Sequence, residues 1–183
     1  AFVEQLYLSS PLHDIGKVGI PDKILLKPGK LTPEEFDIMK AHSLIGGDTL
    51  RAADIEAGQD SFLAMGRDIA YYHHERWDGA GYPFGLEKDE IALSARIIAL
   101  ADVYDALSCR RPYKEPFSHE KSKAIIIEGR GKQFDARVVD AFLAREKSFQ
   151  EVRCRISEDD RPVPVPPFMK QIKSSAACQA ASR

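Results

Sequence analysis

Residues 32–50 read TPEEFDIMKAHSLIGGDTL, and this stretch decides the fold class. Thr32 offers a side-chain acceptor at an N-cap position. Pro33 stands at the first helical position, where a missing N–H costs nothing, and Glu35 is placed to complete a capping box. Behind that start, Phe36, Met39, Ser43, Gly46 and Leu50 recur on one face, which predicts a helix over about residues 33–50. Outward from it the same period returns at 61–75 through Phe62, Met65, Ile69 and Tyr72. Ser94 is placed to cap a helix running to about Leu107, with Ile97, Ala101, Tyr104 and Leu107 inward. Two further helices are expected at about 118–128 and 136–146, the second behind Asp135 as its cap. The apolar runs at 24–27 and 125–127 are too short for periodicity to decide, and no alternating strand stands out. The expected fold class is all-α.

The chain has 183 residues and a formal net charge of −2. That length gives one domain with a surplus, large enough to bury a core without disulfide support. With 44% hydrophobic and 30% charged residues, the chain is neither disordered nor collagen-like. A near-neutral balance supplies no field for duplex nucleic acid or an anionic membrane. No apolar run approaches the roughly 18 residues of a membrane span, because Asp102 and Asp105 break the longest candidate. The opening AFVEQLYLSS has no basic segment of the kind that starts a signal peptide. Cys109, Cys154 and Cys178 are odd in number and form no CxxC pair, which sets aside zinc-finger and disulfide frameworks and points to a reducing cytoplasm.

Two segments read as glycine-rich loops, residues 15–29 and 78–85. After Lys147 the composition changes, with Pro162, Pro164, Pro166 and Pro167 close together and an ending SSAACQAASR. Residues 1–148 are expected to form the domain, and 149–183 a proline-containing, partly disordered C-terminal tail.

The histidines are few and concentrated. His13 and Asp14 are adjacent, His42 lies on the 33–50 helix, and His73 and His74 form a doublet where the 61–75 helix ends. Asp102 sits mid-helix in the apolar context ALADVYDAL, and a carboxylate buried there must be paired or bind a metal. Imidazole and carboxylate without thiolate suit divalent iron, manganese or zinc rather than a structural thiolate site. Lys17 follows His13 by four and Asp14 by three, so one helical turn would bring all three to one face. There it could steady a phosphate or help protonate a leaving oxygen.

HDIGKVGIPDKILLKPGKLTPEE at 13–35, HHERWDGAGYP at 73–83 and ADVYDALSCRRPYK at 101–114 together resemble the HD-GYP domain family. Those proteins are bacterial metal-dependent phosphodiesterases of cyclic di-GMP within the HD phosphohydrolase superfamily. The likeness runs from about Pro11 to Glu146. It implies an HD-type helical bundle with a C-terminal extension, holding two or three divalent metal ions. Iron or manganese come first, with zinc, nickel and magnesium also compatible. It implies metal ligands at His13, Asp14, His42, His73, His74 and Asp102, and a phosphate contact from Lys17. Tyr82 would lie by the bound nucleotide, and Arg111 and Lys114 would hold its phosphates. Asp14 and Lys17 are the expected catalytic pair, and the product is pGpG, GMP or both.

The resemblance also carries departures. The family's domain normally opens with one or two more helices that bring a further His and, in three-metal members, a Glu. Only 12 residues precede His13 here, with Glu4 their one acidic residue and no His, so the bundle is expected to lack its first helices. Within 84–97 the family commonly has Gly where Lys88 stands and Pro where Ala92 stands. The alternative to hydrolysis is an impaired module that binds cyclic di-GMP, or GGDEF-domain proteins, without turnover. A different HD phosphohydrolase is a third reading, disfavoured by the GYP and RPYK elements. An upstream regulatory domain and a homodimer are further expectations from the family.

Overall fold

The start signal at residue 32 forms as read. Thr32 Oγ1 accepts the Glu35 N–H at 3.2 Å, and the Glu35 carboxylate accepts the Thr32 N–H at 2.8 Å. The computed structural model describes residues 2–57, 62–109 and 116–158. Its α-helices are α1 (Phe2–Ser9), α2 (Asp22–Leu25), α3 (Pro33–Glu56), α4 (Phe62–Tyr72), α5 (Leu93–Ser108), α6 (His119–Glu128), α7 (Ala136–Ala144) and α8 (Glu146–Glu158). Short 3₁₀ turns occupy Ser10–Leu12, Ile15–Gly19 and Lys88–Glu90. Among the described residues there is no strand, only the isolated bridges Asp78 to Glu87 and Arg130 to Phe134. The protein is therefore all-α.

The centre of the bundle is α3 against α4, with the 15–19 turn on α3, α1 on α4, and α5 joining α4 to α6 and α7. Close approach sets this geometry. A Cβ at Gly47 would overlap the Tyr71 ring, and one at Gly16 would overlap the His42 carbonyl and the Gly46 nitrogen. Glycine at both places lets α4 and the 15–19 turn reach the backbone of α3. Ile69, Ala70, Ala95, Leu100, Ile126, Phe134 and Val139 fill the interior behind them.

Several sequence expectations shift. Helix α3 continues six residues past Leu50, since no Gly or Pro interrupts before Ala57. Its buried face is His42, Ser43, Gly46, Gly47, Leu50 and Asp54, whereas Phe36 is 46% exposed and meets the edge of Tyr82. Ser94 does not cap α5. The N-cap is Ala92, which has no capping side chain, and Ser94 is buried inside the helix. Burial of Ile91 at that corner fixes the start. The inward face is accordingly Ser94, Ala95, Ile98, Leu100, Tyr104 and Ser108. The 15–29 segment contains a 3₁₀ turn and α2 rather than plain loop. Asp135 and Ser118 cap α7 and α6 through their side chains.

Residues Ala1–Glu146 form one compact unit and a second begins at Lys147. The segment read as a tail starts within α8, and residues 159–183 lie outside the described residues. No helix among the described residues is long and apolar enough to cross a membrane.

Candidate metal centre

Asp14 is the hub. The chain leaves the 10–12 turn so that His13 Nδ1 donates to the Ser10 carbonyl at 2.7 Å, turning Nε2 toward Asp14 Oδ2 at 3.3 Å. The next turn brings Lys17 back onto the same carboxylate oxygen at 2.5 Å. Asp14 Oδ1 faces two further imidazoles, His42 Nε2 at 3.4 Å and His73 Nε2 at 3.9 Å. His42 comes from the buried face of α3. His73 and His74 come from the residues just past α4.

The orientation of these rings is fixed from behind. His42 Nδ1 donates to the Met39 carbonyl at 2.7 Å. His73 Nδ1 donates to the carbonyls of Ile69 and Ala70 at 3.0 and 3.1 Å in the last turn of α4, where the Ile69 carbonyl also accepts the His73 backbone N–H at 3.0 Å. A ring that donates through Nδ1 presents a lone pair at Nε2, the usual arrangement behind a metal-binding histidine. His42 Nε2 and His73 Nε2 face each other at 3.4 Å, so two lone pairs and a carboxylate oxygen converge. They repel unless a cation lies among them. His42, His73 and His74 can each point a ring nitrogen to within 4.8 Å of the others. The donor set and its tautomers fit a divalent metal of the borderline or hard kind.

Electrostatics favour the same occupant. Burial, reinforced by the neighbouring imidazoles, lowers the pKa of His73 to about 4 and that of His74 to about 2, and burial also lowers His42. All three rings are therefore neutral at pH 7. Burial opposes ionisation of Asp14, yet hydrogen bonds from His13 and Lys17 overcome it and hold the carboxyl well below its usual range. The hydrogen bond to Asp14 in turn raises His13.

A cleft of about 240 Å³ opens beside this group, lined by His73, His74, Arg76, Tyr82, Asp102 and Val103 among others. Tyr82 stacks on His74, with ring centroids 4.7 Å apart and planes 28° from parallel. Burial, then the charges of Asp14 and Asp102, keep its hydroxyl protonated. Asp102, expected to be buried, is only half-buried on α5, because it faces the cleft instead of the helical core. His13, Asp14, Lys17, His42, His73, His74, Tyr82 and Asp102 are thus brought to one region. Arg111 and Lys114 lie outside the described residues.

One residue that organises the site was not singled out in the sequence. Glu75 is 3% exposed, and its carboxylate accepts the N–H of Phe84 at 2.7 Å and of Leu86 at 3.1 Å. It closes the 76–86 loop that lays Tyr82 on His74. Its only sequence signal is an acid directly after the His73–His74 doublet. The same loop is pinned at its far side by Trp77, whose N–H donates to the Gln133 carbonyl. The guanidiniums of Arg96 and Arg137 lie 5.6 and 5.3 Å from that ring. Both arginines are bound by the buried Asp135 carboxylate, and both also reach Asp89.

The family model described as "HD domain" matches residues 1–138. This chain belongs to the HD domain family. Among curated relatives, a "Cyclic di-GMP phosphodiesterase" of Vibrio cholerae is 56% identical over 158 residues, covering 86% of this chain and 32% of the relative. A "Probable cyclic di-GMP phosphodiesterase" of the same organism is 54% identical over 86% of this chain and 36% of the relative. A "Cyclic di-GMP phosphodiesterase" of Thermotoga maritima is 48% identical over 87% and 42% respectively. The HD-domain chain thus spans between about a third and two fifths of the length of these relatives. Their names agree with the HD-GYP assignment of its motifs.

Proposed function

We propose that this chain is a metal-dependent phosphodiesterase that hydrolyses cyclic di-GMP to pGpG, GMP or both. The observation that carries the reading is the convergence of His42 Nε2, His73 Nε2 and Asp14 Oδ1 within 3.9 Å of one another across three separate elements. The names of its relatives supply the substrate class.

Two or three divalent ions, iron or manganese first, would be held by His13, Asp14, His42, His73, His74 and Asp102. When bound they supply Lewis-acid charge and an activated water. Asp14 serves as the shared anion, and its contact to Lys17 holds that ammonium at the edge of the site. Lys17 is thereby placed to receive a phosphate oxygen and to stabilise charge that develops on it. Tyr82 walls the cleft with an aromatic face suited to a guanine base. Arg111 and Lys114 remain the proposed holders of the dinucleotide phosphates on the strength of the RPYK motif. The same family resemblance supports a cytoplasmic location, an upstream regulatory domain, contacts with GGDEF-domain proteins and a homodimer. It also supports 1–148 as the domain and 149–183 as its tail.

The test is direct. The chain is prepared with manganese or iron, its metal content is measured, and cyclic di-GMP is followed to pGpG and GMP by chromatography. Turnover that falls at least about 100-fold in His73→Ala and Asp14→Ala, together with loss of bound metal, is expected. Binding of cyclic di-GMP without turnover would establish the non-hydrolysing module instead. Unchanged metal content in both variants would remove these residues from the site.

A further inference from the structure

The N-terminal part of α3 carries an aromatic ring and a cation that the hydrolytic site does not use. Phe36 and Lys40 are one helical turn apart and share a face. The Phe36 ring is 46% exposed, and it meets Tyr82 edge to face at 6.2 Å. Lys40 Nζ lies 5.3 Å from the Phe36 centroid and 5.9 Å from the Tyr82 centroid, both within the range of a cation–π contact. Tyr82 in turn stacks on His74, so the series Phe36, Tyr82, His74 runs inward from solvent to the metal ligands. Lys40 is also paired with Asp37 at 2.5 Å. An ammonium has three donors, and Asp37 is mostly exposed, so Lys40 can exchange this partner for an anion or add one.

We propose that Phe36 and Lys40, with the outer edge of Tyr82, form a second purine-binding ledge that takes the base and phosphate of the nucleotide half not being cleaved. This rests on the cyclic dinucleotide reading above. The Phe36 ring stands about half in water beside Tyr82, and a flat base stacks on such a ring at low cost in order. A cation beside the same ring suits the phosphate that must accompany that base. A cyclic dinucleotide presents two bases, and Tyr82 walls only one of them, so the second base needs a platform of its own. The ledge lies next to Tyr82 and supplies a ring for that base and a cation for the phosphate beside it.

Three quantities test it on the metal-loaded chain: the Kd for cyclic di-GMP, and kcat/KM for cyclic di-GMP and for bis(p-nitrophenyl) phosphate, a diester with no purine. Phe36→Ala is expected to weaken cyclic di-GMP binding about tenfold, within what loss of one base–aromatic stack does, and Phe36→Trp to restore it. Lys40→Gln is expected to weaken binding several-fold and to flatten its salt dependence. In Phe36→Ala the ratio of the two kcat/KM values should fall by about the factor lost in binding. Values of Kd within twofold of the parent in both Phe36→Ala and Lys40→Gln overturn the ledge while leaving the phosphodiesterase reading intact. A parent chain that cleaves the small diester but neither binds nor cleaves cyclic di-GMP overturns the functional reading, and the ledge with it.

Discussion

Protons would compete with the proposed divalent cations for the same nitrogen lone pairs at His42, His73 and His74. Burial lowers the pKa of His73 from an ordinary 6.5 to about 4, and those of its two neighbours also fall. Between those pH values the unfolded chain takes up protons that the folded, metal-free chain refuses. The stability these groups contribute is therefore complete above about pH 6.5 and is lost as pH falls toward 4. His13, raised by Asp14, works in the opposite sense, but it is one group against three. The urea midpoint of the metal-free chain should drop between pH 7 and pH 5, and the drop should shrink in His73→Gln. A flat midpoint across that range would contradict the burial of these rings. At this scale the clustering of the histidines with Asp14 was largely legible, since two doublets and a mid-helix His stand out in any reading. Glu75 was not. Its partners are backbone N–H groups 9 and 11 residues away, and neither spacing nor residue type announces such a contact.

Elements were legible where their signals are local. Thr32 and Glu35 meet across a single turn, and Asp135 caps α7 from its own side chain. Ser94 misled because α5 starts at a corner held by the buried Ile91, a tertiary cause that no cap residue reports. Two departures from the family's usual sequence now have a backbone meaning. Lys88 sits at φ 51°, where a side chain is strained and Gly is not. Ala92 sits at φ −52° behind an extended Ile91, a conformation Pro adopts freely. Lys88→Gly and Ala92→Pro should each raise stability by roughly 0.5–1 kcal/mol, read as a higher denaturant midpoint. Gly16→Ala should do the reverse. The added methyl overlaps the backbone of α3 at His42 and Gly46, which cannot yield as a side-chain tip could. A loss of about 3 kcal/mol is expected, accompanied by weaker metal binding, because the 15–19 turn positions Asp14 against His42. A stable Gly16→Ala chain with full metal affinity would contradict that packing.

For the whole molecule, the proposed metal centre would tie together parts far apart in sequence. His13 and Asp14 precede α2, His42 belongs to α3, His73 and His74 follow α4, and Asp102 belongs to α5. A ligand that binds only the folded state stabilises it by about 2.7 kcal/mol at a hundredfold excess over Kd. For a chain of this size that is a rise of the order of 5–10 °C in thermal midpoint. Manganese should produce such a rise in calorimetry, and chelator should reverse it. His73→Ala should largely abolish the response, and a full response in that variant would place the ion elsewhere. The all-α class was readable from helix caps and helical periodicity, and the family from the order of its motifs, because both signals are carried by residues close together in sequence. The arrangement around Trp77 was not readable, since its partners Arg96 and Arg137 come from α5 and α7.

That arrangement has a practical consequence. Trp77 is the only tryptophan in the chain, and it sits in the loop that carries Tyr82, with two guanidinium groups within 5.6 Å of its ring centroid. Its emission colour and intensity depend on the nearby positive charge and on the seating of that loop. The molecule thus contains its own optical gauge of whether the cleft is shaped or slack. A spectrometer can follow it in real time, with no attached dye and no altered residue.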